Sequence, residues 1–110
     1  MKIAIPTANG KLAMHFGHCE KFTIVNVKNN KVVSIDDAVP PPHEPDVLPK
    51  WLGEQNVNVI IAGGMGIRAQ NLFETNNIKV IVGAPADSVD NLVAAFLDNS
   101  LETGDNACNH

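Results

Sequence analysis

Val57-Asn58-Val59-Ile60-Ile61-Ala62-Gly63-Gly64-Met65-Gly66, followed by Ile78-Lys79-Val80-Ile81-Val82-Gly83-Ala84-Pro85, decides the fold class. Each stretch is a short β-branched run that stops at glycine. Between them Met65, Ala69, Leu72 and Phe73 recur at helical spacing, so the segment reads strand, glycine turn, helix, strand. A further stripe, Val89, Leu92, Val93, Phe96 and Leu97, predicts a last helix capped by Asp87 or Ser88. Two strand–helix units in succession require right-handed crossovers and a sheet with parallel strands.

Working towards the N-terminus, Asp46 is a plausible cap for a helix carrying Val47, Leu48, Trp51 and Leu52 on one side. Pro49 is tolerable there because it falls in the first turn. Pro40-Pro41-Pro42-His43-Glu44-Pro45 predicts an extended connector. Before it, Phe22-Thr23-Ile24-Val25-Asn26-Val27 and Lys31-Val32-Val33-Ser34-Ile35 flank Lys28-Asn29-Asn30. This is the pattern of an antiparallel hairpin, because asparagine tolerates the positive φ of a tight primed turn. Ile3-Ala4-Ile5 is a buried-type strand expected to end at Pro6-Thr7, with a loop from Ala8 to about Glu20. The expected architecture is a mixed α/β sheet. Its first, fourth and fifth strands run parallel, the hairpin extends one edge, and helices cover the faces. Residues 1–98 form one domain and 99–110 a polar tail.

The chain has 110 residues, a net charge of −4, 45% hydrophobic and 18% charged residues. That is enough for one globular core. The acidic balance disfavours nucleic acid and anionic membranes, both of which need a basic face. The short apolar run before Pro6 fits neither a signal peptide nor a membrane span, so the expectation is a cytoplasmic protein whose two cysteines are reduced thiols.

The chemistry-bearing residues fall outside the core pattern. His15, His18 and Cys19 sit in the loop after the first strand, within His15-Phe16-Gly17-His18-Cys19. His43 lies in the proline connector, and Cys108 and His110 lie in the tail. Imidazole and thiolate are ligands for borderline and soft metals, and open α/β sheets gather ligands beyond the carboxyl ends of their parallel strands. The spacing does not match a structural zinc site, and four cysteines to enclose an iron–sulfur cluster are absent. A cluster held by few protein ligands would suit a carrier that releases its cargo. Incidental surface histidines are the alternative reading for the loop, as an unstructured end is for the tail. Gly63-Gly64-Met65-Gly66 read from Gly64 gives G-x-G-x-x-A, a weak dinucleotide fingerprint lacking an acid after the next strand. An anion-binding nest of amides, or glycines needed for packing, explains it as well. No nucleophile, base and orienting residue fall together, so no catalytic residue is assigned.

His15-Phe16-Gly17 together with Ala62-Gly63-Gly64-Met65-Gly66, in this order and context, resembles the dinitrogenase iron–molybdenum cofactor biosynthesis family, which includes NifX and the C-terminal domain of NifB. The resemblance spans nearly the whole chain and is nearest to the small stand-alone branch. It implies a ribonuclease H-like fold with a mixed five-stranded sheet and helices on both faces. It also implies a non-enzymatic carrier or scaffold for an iron–sulfur or molybdenum-containing sulfur cluster. His15 would be its ligand, with Phe16, Gly17 and Gly63 to Gly66 around the cofactor. His18, Cys19, Cys108 and His110 are further candidate metal ligands, beyond what the motif requires. Cluster donor and acceptor proteins would be the partners of a monomer or homodimer. A small-molecule or nucleotide-binding regulatory domain built on the glycine turn is the alternative function.

Overall fold

The structure, a computed structural model, describes residues 1–13, 20–40, 47–101 and 103. The chain order is β1 (Lys2–Ala8), β2 (Lys11–Leu12), β3 (Lys21–Lys28), β4 (Lys31–Ala38), α1 (Val47–Glu54), β5 (Val59–Ile61), α2 (Ile67–Thr75), β6 (Lys79–Ile81) and α3 (Val89–Leu97). The strands form one six-stranded mixed sheet in the order β4-β3-β1-β5-β6, with β2 paired to β1. β1, β5 and β6 are parallel, and β3 and β4 form the antiparallel hairpin at one edge. The sixth strand, absent from the sequence reading, is β2. An Asn9-Gly10 turn folds it back on β1, both residues at positive φ (55° and 78°).

β1 runs through Pro6 rather than ending there, pairing Pro6 with Phe22 and Thr7 with Lys21. The reason is local. β5 pairs with β1 only at Ile3 and Ala4, and the Pro6 carbonyl accepts the Ala13 N–H (2.9 Å) on that same side. The proline nitrogen therefore points where no neighbouring carbonyl requires a donor. β5 and β6 are shorter than their apolar runs suggest, yet bonds continue past them, from Ala62 N to Ile81 O (2.8 Å) and Gly83 N to Gly63 O (2.9 Å).

The sheet separates two cores. On one face α1, α2 and the turn before α2 bring Leu48, Leu52, Met65 and Phe73 against Ala4, Phe22, Ile24 and Ile60. Trp51 adds an edge-on contact to Phe22, with ring centroids 5.9 Å apart. On the other face α3 lays Leu92 and Val93 on Ile3, Ile5, Val25 and Ile61, and this packing continues to Leu101. Asparagine recurs at the turns of this frame. Asn29 and Asn30 take positive φ (53° and 64°) between β3 and β4. Asn56, Asn77 and Asn99, each at φ 63°, follow the three helices. Each helix ends with the same paired bonds, as in Val57 N to Leu52 O and Asn56 N to Gly53 O, or Ile78 N to Phe73 O and Asn77 N to Glu74 O. These are Schellman motifs in which asparagine occupies the left-handed position usually held by glycine.

β2 straps the rim of the sheet to the start of α3. Leu12 N donates to Asp87 O (3.0 Å), while Asp87 Oδ1 accepts from Ser88 N (2.7 Å) and Asn91 Nδ2 (3.0 Å). Ser88 caps α3 by accepting from Asn91 N (3.3 Å).

Two outcomes follow from this packing. Leu52→Ala removes a fully buried side chain from the α1 core and should cost about 2–5 kcal/mol, read as a lower urea midpoint at unchanged slope. The Asp87 carboxyl is held below its ordinary pKa, first by the Asn91 side chain and then by the Ser88 N–H. A depressed folded pKa gives stability that is present above the unfolded aspartate pKa and lost as pH falls through the lowered value. Asp87→Ala should therefore lower stability at neutral pH and make the acid limb of urea midpoint against pH shallower; parallel limbs would remove Asp87 from the strap.

Candidate functional site

The carboxyl ends of the parallel strands form one rim. β1 and β5 are neighbours there, but their connections leave in opposite directions: the chain after β1 turns towards β3, and the chain after β5 turns towards β6. A crevice opens where adjacent parallel strands part in this way. The glycine turn and the ends of the histidine-bearing loop lie on its two sides.

Gly63, Gly64 and Met65 are buried, while Gly66 is exposed. The turn is tied to the loop after β6 by Gly83 N to Gly63 O and by Ala84 N to Ala62 O (3.2 Å). Gly83 itself has φ +82°, a conformation that favours glycine. Met65 has no exposed surface and packs in the α1–α2 core, and its carbonyl accepts from Gln70 Nε2 (2.9 Å). Its side chain is an anchor, so Met65 can reach a ligand only through its backbone.

Gly66 is the N-cap of α2, at φ −65° and ψ 155°, and no side chain caps the helix. The first helical bond runs from Gln70 N to Gly66 O (3.1 Å). The amides of Ile67, Arg68 and Ala69 therefore have no acceptor within the helix, and the positive end of its dipole stands at the rim. No acidic residue lies in the first turn; Arg68 does, exposed and without an ion pair among the described residues. In a chain of net charge −4, this is a local concentration of positive charge. A Cβ built on Gly66 meets nothing within 4 Å, so packing does not require glycine there.

His15, Phe16, Gly17, His18, Cys19, His43, Cys108 and His110 lie outside the described residues. The two residues bounding 14–19 are described, and both are held to β1. Ala13 N donates to Pro6 O, and Glu20 N donates to Thr7 O (2.8 Å). Glu20 Oε1 also accepts from Asn9 N (2.7 Å). The segment therefore leaves and rejoins the sheet beside the carboxyl end of β1. Among the described residues no three His, Cys, Asp or Glu side chains group as metal ligands, and no helix is long and apolar enough to cross a membrane.

The tail starts elsewhere. α3 runs back down the sheet, and Leu101 and Thr103 line a depression with Met1, Asn30 and Lys79, at the amino ends of the parallel strands. From Thr103, five extended residues to Cys108 reach about 17 Å and seven to His110 about 24 Å. β1 alone, at ~3.3 Å per residue, is about 20 Å long. Two features of the site went unread in the sequence. The Asn9-Gly10 pair was a turn signal inside the presumed loop, and Arg68 carries no local motif, because its meaning comes only from the helix end it occupies.

Comparison with known proteins agrees with this architecture. The uncharacterized protein MJ0580 of Methanocaldococcus jannaschii is 36% identical over 107 residues, spanning 93% of this chain and 90% of its own. The crystal structure of PH0822 superposes with a TM-score of 0.85 at 23% identity, covering 94% of both chains. MJ0327 of Methanocaldococcus jannaschii gives 0.78 at 26% identity over 96% of both chains. The apo form of the orange protein from Desulfovibrio gigas gives 0.76 at 17%, over 96% of this chain and 93% of its own. PH0822 and the orange protein share the fold at these identities. The model of the family described as dinitrogenase iron-molybdenum cofactor matches residues 1–99, and the chain belongs to that family.

Proposed function

We propose that this protein is a carrier or scaffold that binds an anionic metal–sulfur cluster, an iron–sulfur or molybdenum-containing species, at the β1–β5 rim and hands it between donor and acceptor proteins. The observation that carries the reading is the uncapped N-terminus of α2. It is free of acidic residues, bears Arg68 and lies across the crevice from the anchored ends of the His15 loop. Amides and a guanidinium suit the sulfide face of a cluster, whose negative charge is spread over many acceptor atoms. His15 would bind metal directly, with Cys19 as the second ligand and His18 near them, while Phe16 and Gly17 shape the loop. Gly63, Gly64, Met65 and Gly66 would contribute backbone alone. Few protein ligands and an open rim favour release.

Cys108 and His110 enter this reading differently from the loop residues. Thr103, the last described residue before them, lies at the far end of the sheet. The proposal therefore assigns the cargo to the rim without them. The ribonuclease H-like relationship belongs to the same reading, and nuclease chemistry does not follow from it. Ile3, Ala4 and Ile5 at the centre of β1 are buried and carry no carboxylate for a metal.

Anaerobic reconstitution with iron and sulfide, with and without molybdate, tests the assignment by bound metal, bound sulfide and visible absorption. Wild type should load and His15→Ala should lose most of its cargo; full occupancy in the variant would remove His15 from the site. Saturable heat with nucleotides, and none of these cluster signals, would transfer the rim to the nucleotide-binding alternative.

Gly66 offers a sharper test of the amides. Gly66→Ser supplies the missing cap, so it should raise stability by a few tenths of a kcal/mol while its hydroxyl occupies an amide meant for the cargo. Gly66→Ala fits the open space and leaves the amides free. Loading should fall in the serine variant and hold in the alanine variant. Equal loading in both would separate the α2 amides from binding.

A further inference from the structure

The two faces of the sheet are covered unequally. On one face α1 and α2 share the layer, and Trp51 of α1 and Ala38 of β4 both pack against its core. On the other face α3 lies alone, and its core neighbours Ile3, Ile5, Val25 and Ile61 come from β1, β3 and β5. One helix is about 10 Å across, so α3 leaves β4 uncovered among the described residues. Val32 and Ile35 pair with Val27 and Val25, which places them on the α3 side, and they are 44% and 49% exposed. With Val89, Val93 and Leu97 of α3 they line an open, mainly apolar groove of about 500 Å³.

The open strip has the width of a helix. β4 lies two strand spacings from β1, roughly 9.6 Å at ~4.8 Å each, and packed helices lie about 8–10 Å apart. The α3 wall from Val89 to Leu97 runs about 12 Å, or roughly two turns. Its outer lip is Asp90, Ala94 and Asp98, all exposed. The alanine leaves a low saddle between two carboxylates, neither of which has an ion pair among the described residues. Asp90 stands in the first turn of α3, where the helix dipole favours it. Asp98 is the C-cap, where the dipole opposes it, and no basic residue in the last turn offsets it. Its Oδ1 accepts from Ser100 N (2.9 Å), which holds the carboxylate at that end of the groove. Among the described residues no cation lines the groove. The complement is therefore a helix with an apolar stripe and two cations about two turns apart. No helix of this chain supplies it: α1 and α2 carry one cation each, Lys50 and Arg68, and α3 of a second copy would bring the same carboxylates.

We infer that the β4–α3 groove docks a basic amphipathic helix of another protein, which completes the layer that α3 begins. The apolar stripe of that helix rests on Val32, Ile35, Val89 and Leu97 and passes over Ala94. Its lysines or arginines meet Asp90 and Asp98. The inference rests on the groove and its charges and does not depend on the cargo reading.

The probe is a synthetic alanine-based helix about five turns long, with a leucine stripe on one face and two lysines about two turns apart beside it. Twin peptides carry glutamine or glutamate in place of the lysines. With the full chain, fluorescence anisotropy of the labelled peptides gives affinity, and amide chemical shifts of the protein give location. The lysine peptide should bind saturably and shift the amides of β4 and α3. The glutamine twin should bind about tenfold more weakly, as two exposed ion pairs allow, and the glutamate twin not measurably. Asp90→Asn combined with Asp98→Asn should weaken the lysine peptide by that same factor and leave the glutamine twin unchanged, with far-UV circular dichroism as the control for folding. No saturable binding of the lysine peptide overturns the inference. So do equal binding of the lysine and glutamine peptides, an affinity that the double variant does not lower, or shifts that fall outside β4 and α3.

Discussion

Everything in this molecule is built on the pairing of β1. Among the described residues it is the only strand with neighbours of both kinds, antiparallel β3 on one side and parallel β5 on the other. Its alternating side chains supply both cores, Ala4 to the α1–α2 face and Ile3 and Ile5 to the α3 face, all three fully buried. Disturbing its register would move one core's residues into the other. The same strand makes the candidate rim, because its carboxyl end anchors the two ends of the His15-bearing loop on one side while β5 delivers the glycine turn on the other.

Rigidity around the rim comes from backbone bonds more than from side chains. Gly83 and Ala84 bind the glycine turn, Pro6 and Thr7 bind the ends of the loop, and Asp87 binds β2. The glycines of the turn can then present amides without a side chain intervening, and Met65 turns its side chain into the core. A site of this construction suits an extended anionic surface better than a single small cation. Few rigid side-chain donors face it from the described residues, whereas oriented N–H groups and the end of a helix dipole do.

Much of this was legible in the chain. The β-branched runs, the helical stripes, the Asn29-Asn30 hairpin and the Ser88 cap each depend on neighbours within a few residues, and each stands where the periodicity puts it. Strand ends were less legible. β5 and β6 are three residues each because pairing depends on what lies alongside, and Pro6 stays within β1 because no acceptor faces its nitrogen. For the candidate site, the glycine turn and the His15 loop could be singled out by residue type. The place of Arg68 at the start of α2 and of Thr103 away from the rim could not, since both depend on where helices begin and end in space.

The sequence by itself therefore determined every described element but β2, their order, the Asn29-Asn30 turn and the chemical character of the two loops after β1 and β5. These are local matters of steric preference, periodicity and side-chain chemistry. Only the tertiary structure decided that the glycine turn and the two ends of the His15 loop flank one crevice and that β4 lies at the edge of the described sheet. It also decided that Thr103 stands at the opposite end of the sheet. The physical reason is that strand order is set by hydrogen bonds and buried faces between segments about fifty residues apart, such as Ile3 with Val59, and no local preference encodes which distant strand will lie beside which.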